Sequence, residues 1–93
     1  MKSYRWNHEK NELLKRERGI SFEEVVLAIG SGGLLDVVEH PSRRRYPNQA
    51  VFVVAITGYV YLVPFVEEPD YVFLKTIIPS RKATRAYGMR GGK

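Results

Sequence analysis

Apolar residues recur along this chain with two periods, and the change between them divides it. Phe22, Val25, Val26 and Ile29 fall at i, i+3, i+4 and i+7, which is one face of a helix. Ser21 and Glu24 have the spacing of a capping box, and Ile20 and Val25 that of a hydrophobic staple. The run Gly30, Ser31, Gly32, Gly33 stops this helix. Upstream, residues 10–18 are rich in helix formers, with Leu13 and Leu14 as a narrow apolar stripe. Asn7 suits the N-cap, Arg16 and Arg18 suit the last turn, and Gly19 suits a left-handed C-terminal position. These signals predict a first helix over residues 8–18, preceded by a short edge strand at Tyr4, Arg5 and Trp6.

Beyond the glycine run the pattern becomes that of strands. It predicts strands over residues 34–39, 50–56, 59–66 and 71–78. The second is continuously apolar and β-branched, so it is expected at the centre of a sheet, buried on both faces. Thr57 and Gly58 read as a tight hairpin link, and residues 67–70 as a turn. Pro64 is expected to place the far end of its strand at an edge or bulge. Ser80 can cap a last helix running to about Tyr87, before a flexible basic tail at residues 88–93. The fold class is α+β, one domain over residues 1–93. Two N-terminal helices pack on an antiparallel sheet of about four strands, in two layers, and a short basic C-terminal helix follows.

Alternation along the strands predicts an aliphatic face of Val60, Leu62 and Val66 with Val72, Leu74, Thr76 and Ile78, placed under the helices. The opposite face would carry Tyr59, Tyr61, Val63 and Phe65 with Tyr71, Phe73, Lys75 and Ile77. Such an aromatic face beside cations suits either base stacking or a protein partner.

Composition narrows the chemistry. The absence of cysteine removes disulfides, thiolate metal sites and cysteine nucleophiles. His8 and His40 form no metal-spaced pair, so neither a metal nor another cofactor is expected. No apolar run approaches the roughly 18 residues of a membrane span, and the expected location is the cytoplasm. The glycine run lacks the Lys-Ser/Thr that a phosphate-binding loop needs, so it reads as a helix stop.

Charge is unevenly placed. The net charge is +5. Nine bases against seven acids leave +2 in residues 1–48, and one base against three acids leaves −2 in residues 49–78. Residues 79–93 hold five bases (Arg81, Lys82, Arg85, Arg90 and Lys93) and no acid. A cationic segment joined directly to a sheet strand points to a phosphate-bearing partner. A second cationic stretch, Arg43, Arg44 and Arg45, lies in the loop that also carries His40 and Tyr46.

Three stretches together resemble the BrnT family of toxins from type II toxin–antitoxin systems. Trp6-Asn7-His8-Glu9-Lys10 is similar to the family's opening Trp-Asp-x-x-Lys. Arg18-Gly19-Ile20-Ser21-Phe22-Glu23-Glu24 is similar to its Lys-His-Gly-Val-Ser-Phe-Glu-Glu. Ile77-Ile78-Pro79-Ser80-Arg81-Lys82-Ala83-Thr84 resembles its closing Ile-Ile-Ser-Ala-Arg-Lys-Ala-Thr. Their order and spacing also agree. The chain departs from the pattern at Asn7, where the family has an acid, at Arg18, where it has histidine, and at Pro79, where it has serine. Thr76 stands where an arginine is common, and a glutamate common after the threonine is missing near Ala86 and Tyr87.

The resemblance implies a RelE-like ribonuclease fold and metal-independent cleavage of RNA that inhibits translation. The RNA would be messenger RNA, free or on the ribosome. It also implies a cognate antitoxin protein, through which alone the chain would meet operator DNA. Cleavage of this kind needs a group to take the 2′-OH proton, one to protonate the leaving 5′-oxygen, and cations for the phosphorane. Arg81 and Arg85, four apart on the last helix, are the candidates to clamp the phosphate. Lys82 is expected to point elsewhere, onto the RNA backbone. Lys10, His40, Lys75, Tyr61 and Tyr71 remain open for proton transfer, each with a plain structural alternative. Arg44, Arg45, Tyr61, Tyr71 and Tyr87 are the further RNA-binding candidates. A nucleic-acid-binding module without catalysis, or one that only docks an antitoxin, is the alternative reading.

Overall fold

The structure, a computed structural model, describes residues 2–91, the last four as backbone alone. It is α+β, with three helices and a mixed, open six-stranded sheet in the order β1-β5-β4-β3-β2, β6 also pairing with β4. The strands are β1 (Ser3–Trp6), β2 (Leu34–Glu39), β3 (Gln49–Ile56), β4 (Tyr59–Glu67), β5 (Tyr71–Leu74) and β6 (Ile78–Pro79). The helices are α1 (His8–Arg18), α2 (Phe22–Gly30) and α3 (Arg81–Gly91). Among the described residues no helix is long and apolar enough to cross a membrane.

The local signals act as expected. The Lys10 amide donates to Asn7 Oδ1 at 2.8 Å, and Gly19 ends α1 at φ 66°. Ser21 and Glu24 form both hydrogen bonds of the capping box. The glycine run is structural. The Gly33 amide donates to Ala28 O at 2.7 Å and its carbonyl accepts from Ala55 N at 2.8 Å. A Cβ at Gly33 would lie 2.7 Å from Ala55 O, so only glycine lets helix end and strand meet there. Thr57 (φ 51°) and Gly58 (φ 80°) make the two-residue turn between β3 and β4 with both central residues at positive φ.

The sheet departs from expectation in three ways. β1 is an edge strand, but it pairs parallel to β5, so the sheet is mixed and has more strands than the expected four. The last strand is not continuous: β5 ends at Leu74 and β6 begins at Ile78. Pro64 explains where the break falls. It lies inside β4, opposite Val51 of β3, and has no amide to offer the strand on its other side. Its carbonyl accepts from Lys75 N at 2.8 Å, and the ladder resumes only at Leu62 and Ile78. Pro64 therefore marks a gap in the neighbouring strand rather than an edge or bulge of its own.

The third departure concerns faces. Phe65 stands opposite Leu74 and Glu67 opposite Val72, so odd positions of β4 share a face with even positions of β5. Tyr61, Val63 and Phe65 consequently belong to the core with Val72 and Leu74, while Val60, Leu62 and Val66 face the other way. The expected aromatic face does not exist. The β5–β6 break then moves the fully buried Ile77 inward and leaves Ile78 exposed, the reverse of simple alternation.

The main core lies between one sheet face and α1 and α2. Leu14, Phe22 and Val25 meet Phe52, Val54, Val63, Phe65 and Leu74, and Trp6 stacks on Phe22 at 5.6 Å. Buried side chains of this size each contribute about 1.5–3 kcal/mol. Val53 and Val60 are also buried, yet stand outside this cluster. Val53 alternates with Phe52 and Val54, so it points to the opposite face, which α3 covers. Tyr87 of α3 reaches Asp36 of β2, the residue opposite Val53. The fold thus has helices on both faces of the sheet instead of two layers. The backbone of α3 continues to Gly91, past the expected end at Tyr87. Of the expected basic tail, Gly92 and Lys93 lie outside the described residues, as does the side chain of Arg90.

Candidate nucleic-acid interface

The start of α3 is built onto β4 by short-range bonds that the sequence motif supplies. Ser80 N donates to Val60 O at 3.0 Å, extending the β4–β6 ladder by one residue. Ser80 Oγ accepts from Ala83 N at 3.0 Å, as an N-cap should. The Thr84 hydroxyl donates to Ser80 O at 2.7 Å and accepts from Val60 N at 2.8 Å. Thr84 thereby satisfies a β4 donor from within the helix. Serine and threonine hold the helix down, and the intervening cations are left on its far side.

Arg81, Lys82 and Arg85 are all exposed, whereas Ala83, Thr84 and Tyr87 are half-buried toward the sheet. At about 100° per residue, Arg85 lies angularly between Arg81 and Lys82. All three cations therefore share one solvent-facing arc. This corrects the expectation that Lys82 points elsewhere. The first turn contains no acid, and among the described residues none of the three forms an ion pair. Cations at the positive end of a helix dipole repel the helix start, and an anion bound there relieves the repulsion.

The other expected residues are dispersed. Lys75 is exposed in the β5–β6 break, on the approach to α3. Lys10 is half-buried in the first turn of α1, on the opposite face of the sheet from α3. His40 lies at the other end of the sheet: its amide donates to Gln49 O, and Gln49 stands opposite Val66. Ser80 is tied to Val60. Six strand residues separate these two levels of β4, about 20 Å at roughly 3.3 Å each. His40 therefore does not join Arg81 and Arg85. Its Nδ1 accepts from Ser42 N at 2.9 Å, and its ring lies 4.7 Å from that of Tyr46, so it organises its own loop.

Arg44 and Arg45 are exposed in that same loop, and Arg43 pairs with Glu39 at 3.5 Å. Tyr61 packs against the core and meets Tyr59 edge-on at 5.6 Å, which takes it away from the α3 face. Tyr71 lies at the β1 side of the sheet with the Arg5 guanidinium 4.5 Å above its ring. Tyr87 donates to Asp36 Oδ2 at 2.9 Å, tying the second half of α3 to β2. Among the described residues no three His, Cys, Asp or Glu side chains gather in a way that could hold a metal ion.

The tertiary roles of two polar residues were not legible in the sequence. Asn11 is 1% exposed. Its Oδ1 accepts from Phe22 N and its Nδ2 donates to Glu23 Oε1, both at 2.8 Å, which locks α1 to α2. The Asn11 amide, more than any other group, holds the Glu23 carboxyl below its ordinary pKa. The only sequence signal was the i, i+3 spacing of Asn11 to Leu14. Arg18 donates from Nη1 to Ile77 O at 2.6 Å, across the chain, and no local pattern signals that contact. Compared with known protein families, with curated proteins and with solved structures, the chain finds no match in any of the three.

Proposed function

We propose that this chain is a ribonuclease toxin of a type II toxin–antitoxin system, of the BrnT kind. It acts in the cytoplasm, cleaves RNA without a metal and is neutralised by a cognate antitoxin. The observation that carries the reading is the start of α3, where Arg81, Lys82 and Arg85 project from one arc of a helix bonded to β4 through Ser80 and Thr84. Rigidly held, uncompensated cations suit a phosphorane, because guanidinium donors placed in advance need no reorganisation during reaction. Of the residues that do this holding, Thr84 matches the closing motif that resembles the family, while Ser80 stands where that motif has alanine. The RelE-like arrangement is part of the same proposal. Two helices on one sheet face and a basic helix after the last strand support it, while the mixed six-stranded sheet and the α3 face differ from the simple expectation.

In this reading the 2′-oxygen attacks the phosphorus and the 5′-oxygen leaves. Arg81 and Arg85 stabilise the charge on the non-bridging oxygens, and Lys82 holds a flanking phosphate. Lys75, beside the approach to α3, is better placed than His40 to exchange a proton there. The distance of His40 favours a second reading, a nucleic-acid-binding or antitoxin-docking module without catalysis. Induced expression of the wild type and of Arg81→Ala, with growth and RNA integrity measured, separates the two. Arrest with RNA cleavage that Arg81→Ala abolishes, in a still-folded protein, is the expected result. Tight RNA binding by purified wild type without cleavage supports the second reading and overturns the first.

A further inference from the structure

The chain between β5 and α3 has unequal support on its two sides. Toward β4 it is bonded at Lys75 N–Pro64 O, at the Leu62–Ile78 pair and at Ser80 N–Val60 O. Bonding alternates along an antiparallel strand, so Ile77 and Pro79 direct their backbone groups to the other side. There the described residues provide no further strand, because β1 ends with Trp6 beside Leu74. Pro79 has no amide to leave unpaired. Ile77 has a carbonyl, and its side chain is fully buried, so it cannot turn without disturbing the core. Arg18, in the last turn of α1, donates to that carbonyl at 2.6 Å in a part-buried setting.

We infer that Arg18 stands in for the missing neighbour strand and is thereby a positioning residue for the α3 cations. Three residues after Ile77 comes Ser80, whose oxygens cap α3 and bind Thr84. A shift of Ile77 is passed through two residues of β6 to that cap, and so to Arg81 and Arg85. Arg18 acts on the backbone and not on phosphate. The inference rests on the proposed function only where it concerns RNA. The part that concerns the α3 start stands by itself.

The test uses the full chain as wild type, Arg18→Ala, Arg18→Met and Arg18→Lys. Amide hydrogen exchange is followed at Ser80, Ala83 and Thr84, and affinity for a single-stranded RNA oligonucleotide is measured across a salt series. Arg18→Ala is expected to speed exchange at all three amides. It should weaken binding by roughly two- to thirty-fold, the range for residues that act on a site without touching its ligand. The slope of log affinity against log salt should not change, because no phosphate contact is removed. Arg18→Lys, which keeps a donor, should restore much of the protection; Arg18→Met, which keeps the stem without the donor, carries the test if Arg18→Ala does not fold. Unchanged exchange at the three amides in a variant without the donor overturns the inference. So does a slope smaller by about one phosphate contact, which would make Arg18 a direct ligand. If Arg81→Ala leaves RNA affinity untouched, the functional proposal has failed, and the exchange data alone decide the role of Arg18.

Discussion

Two arginine-rich segments sit at opposite ends of the same sheet, and their anchoring differs. Arg81, Lys82 and Arg85 rise from a helix whose first turn is bonded to β4 by Ser80 and Thr84, with no acid among them. Arg43, Arg44 and Arg45 occupy a turn that is bonded mainly to itself, through the Arg45 and Tyr46 amides to Ser42 O. One member, Arg43, is already paired with Glu39. Equal numbers of cations thus give unequal sites. A mobile cation must lose conformational freedom to grip a phosphate, whereas one on a held helix has lost much of it in folding. Local charge density is therefore a poor guide to a phosphate site until its backbone support is known.

The largest effect should come from the α3 cations themselves. In an RNA-cleavage assay with purified protein, Arg81→Ala combined with Arg85→Ala should slow turnover by about 100- to 1,000-fold. Arg44→Ala combined with Arg45→Ala should alter the salt dependence of binding and slow turnover by less than about ten-fold. Equal losses from the two pairs would erase the distinction.

Next in size is the anchor. Thr84→Val keeps the shape but strands the Val60 amide, which should lower stability by about 1–3 kcal/mol in urea unfolding. Ser80→Ala removes only the cap and should lower it by about 1 kcal/mol. If neither variant alters stability, α3 is not held in the way described.

Asn11→Ala acts outside both segments. Glu23 has its pKa lowered, mainly by the Asn11 amide, so the stability linked to it is complete above the ordinary carboxylate value. That contribution is lost as pH falls below about 4.3 and through the lowered folded pKa. The wild type should therefore lose stability more steeply than Asn11→Ala on this acid limb, by a pH series of thermal melts. Parallel curves would remove Asn11 as the cause. Arg43→Ala is the smallest change: an exposed pair such as Arg43–Glu39 should alter stability by less than about 0.5 kcal/mol.

Local order in this protein was legible from residue order alone. The limits of α1, the capping box at Ser21, the Thr57-Gly58 turn and the Ser80 cap are set by groups within four residues of one another. Bonds that short need no distant partner, so spacing determines them. The three bases and two hydroxyls that make up the α3 start could be named from spacing too, except that the arc shared with Lys82 had to be seen. Tertiary structure alone decided the rest. The faces of β4 and β5 depended on which residues pair across their turn, and a shift of one residue exchanges every side chain between core and surface. The β5–β6 break depended on Pro64 meeting that chain from another strand. The separation of His40 from Arg81 followed from the length of β4 between their levels, and Asn11 and Arg18 found partners that lie beyond their own helix. Periodicity reports which residues seek the interior, but the register of distant strands determines what they meet there.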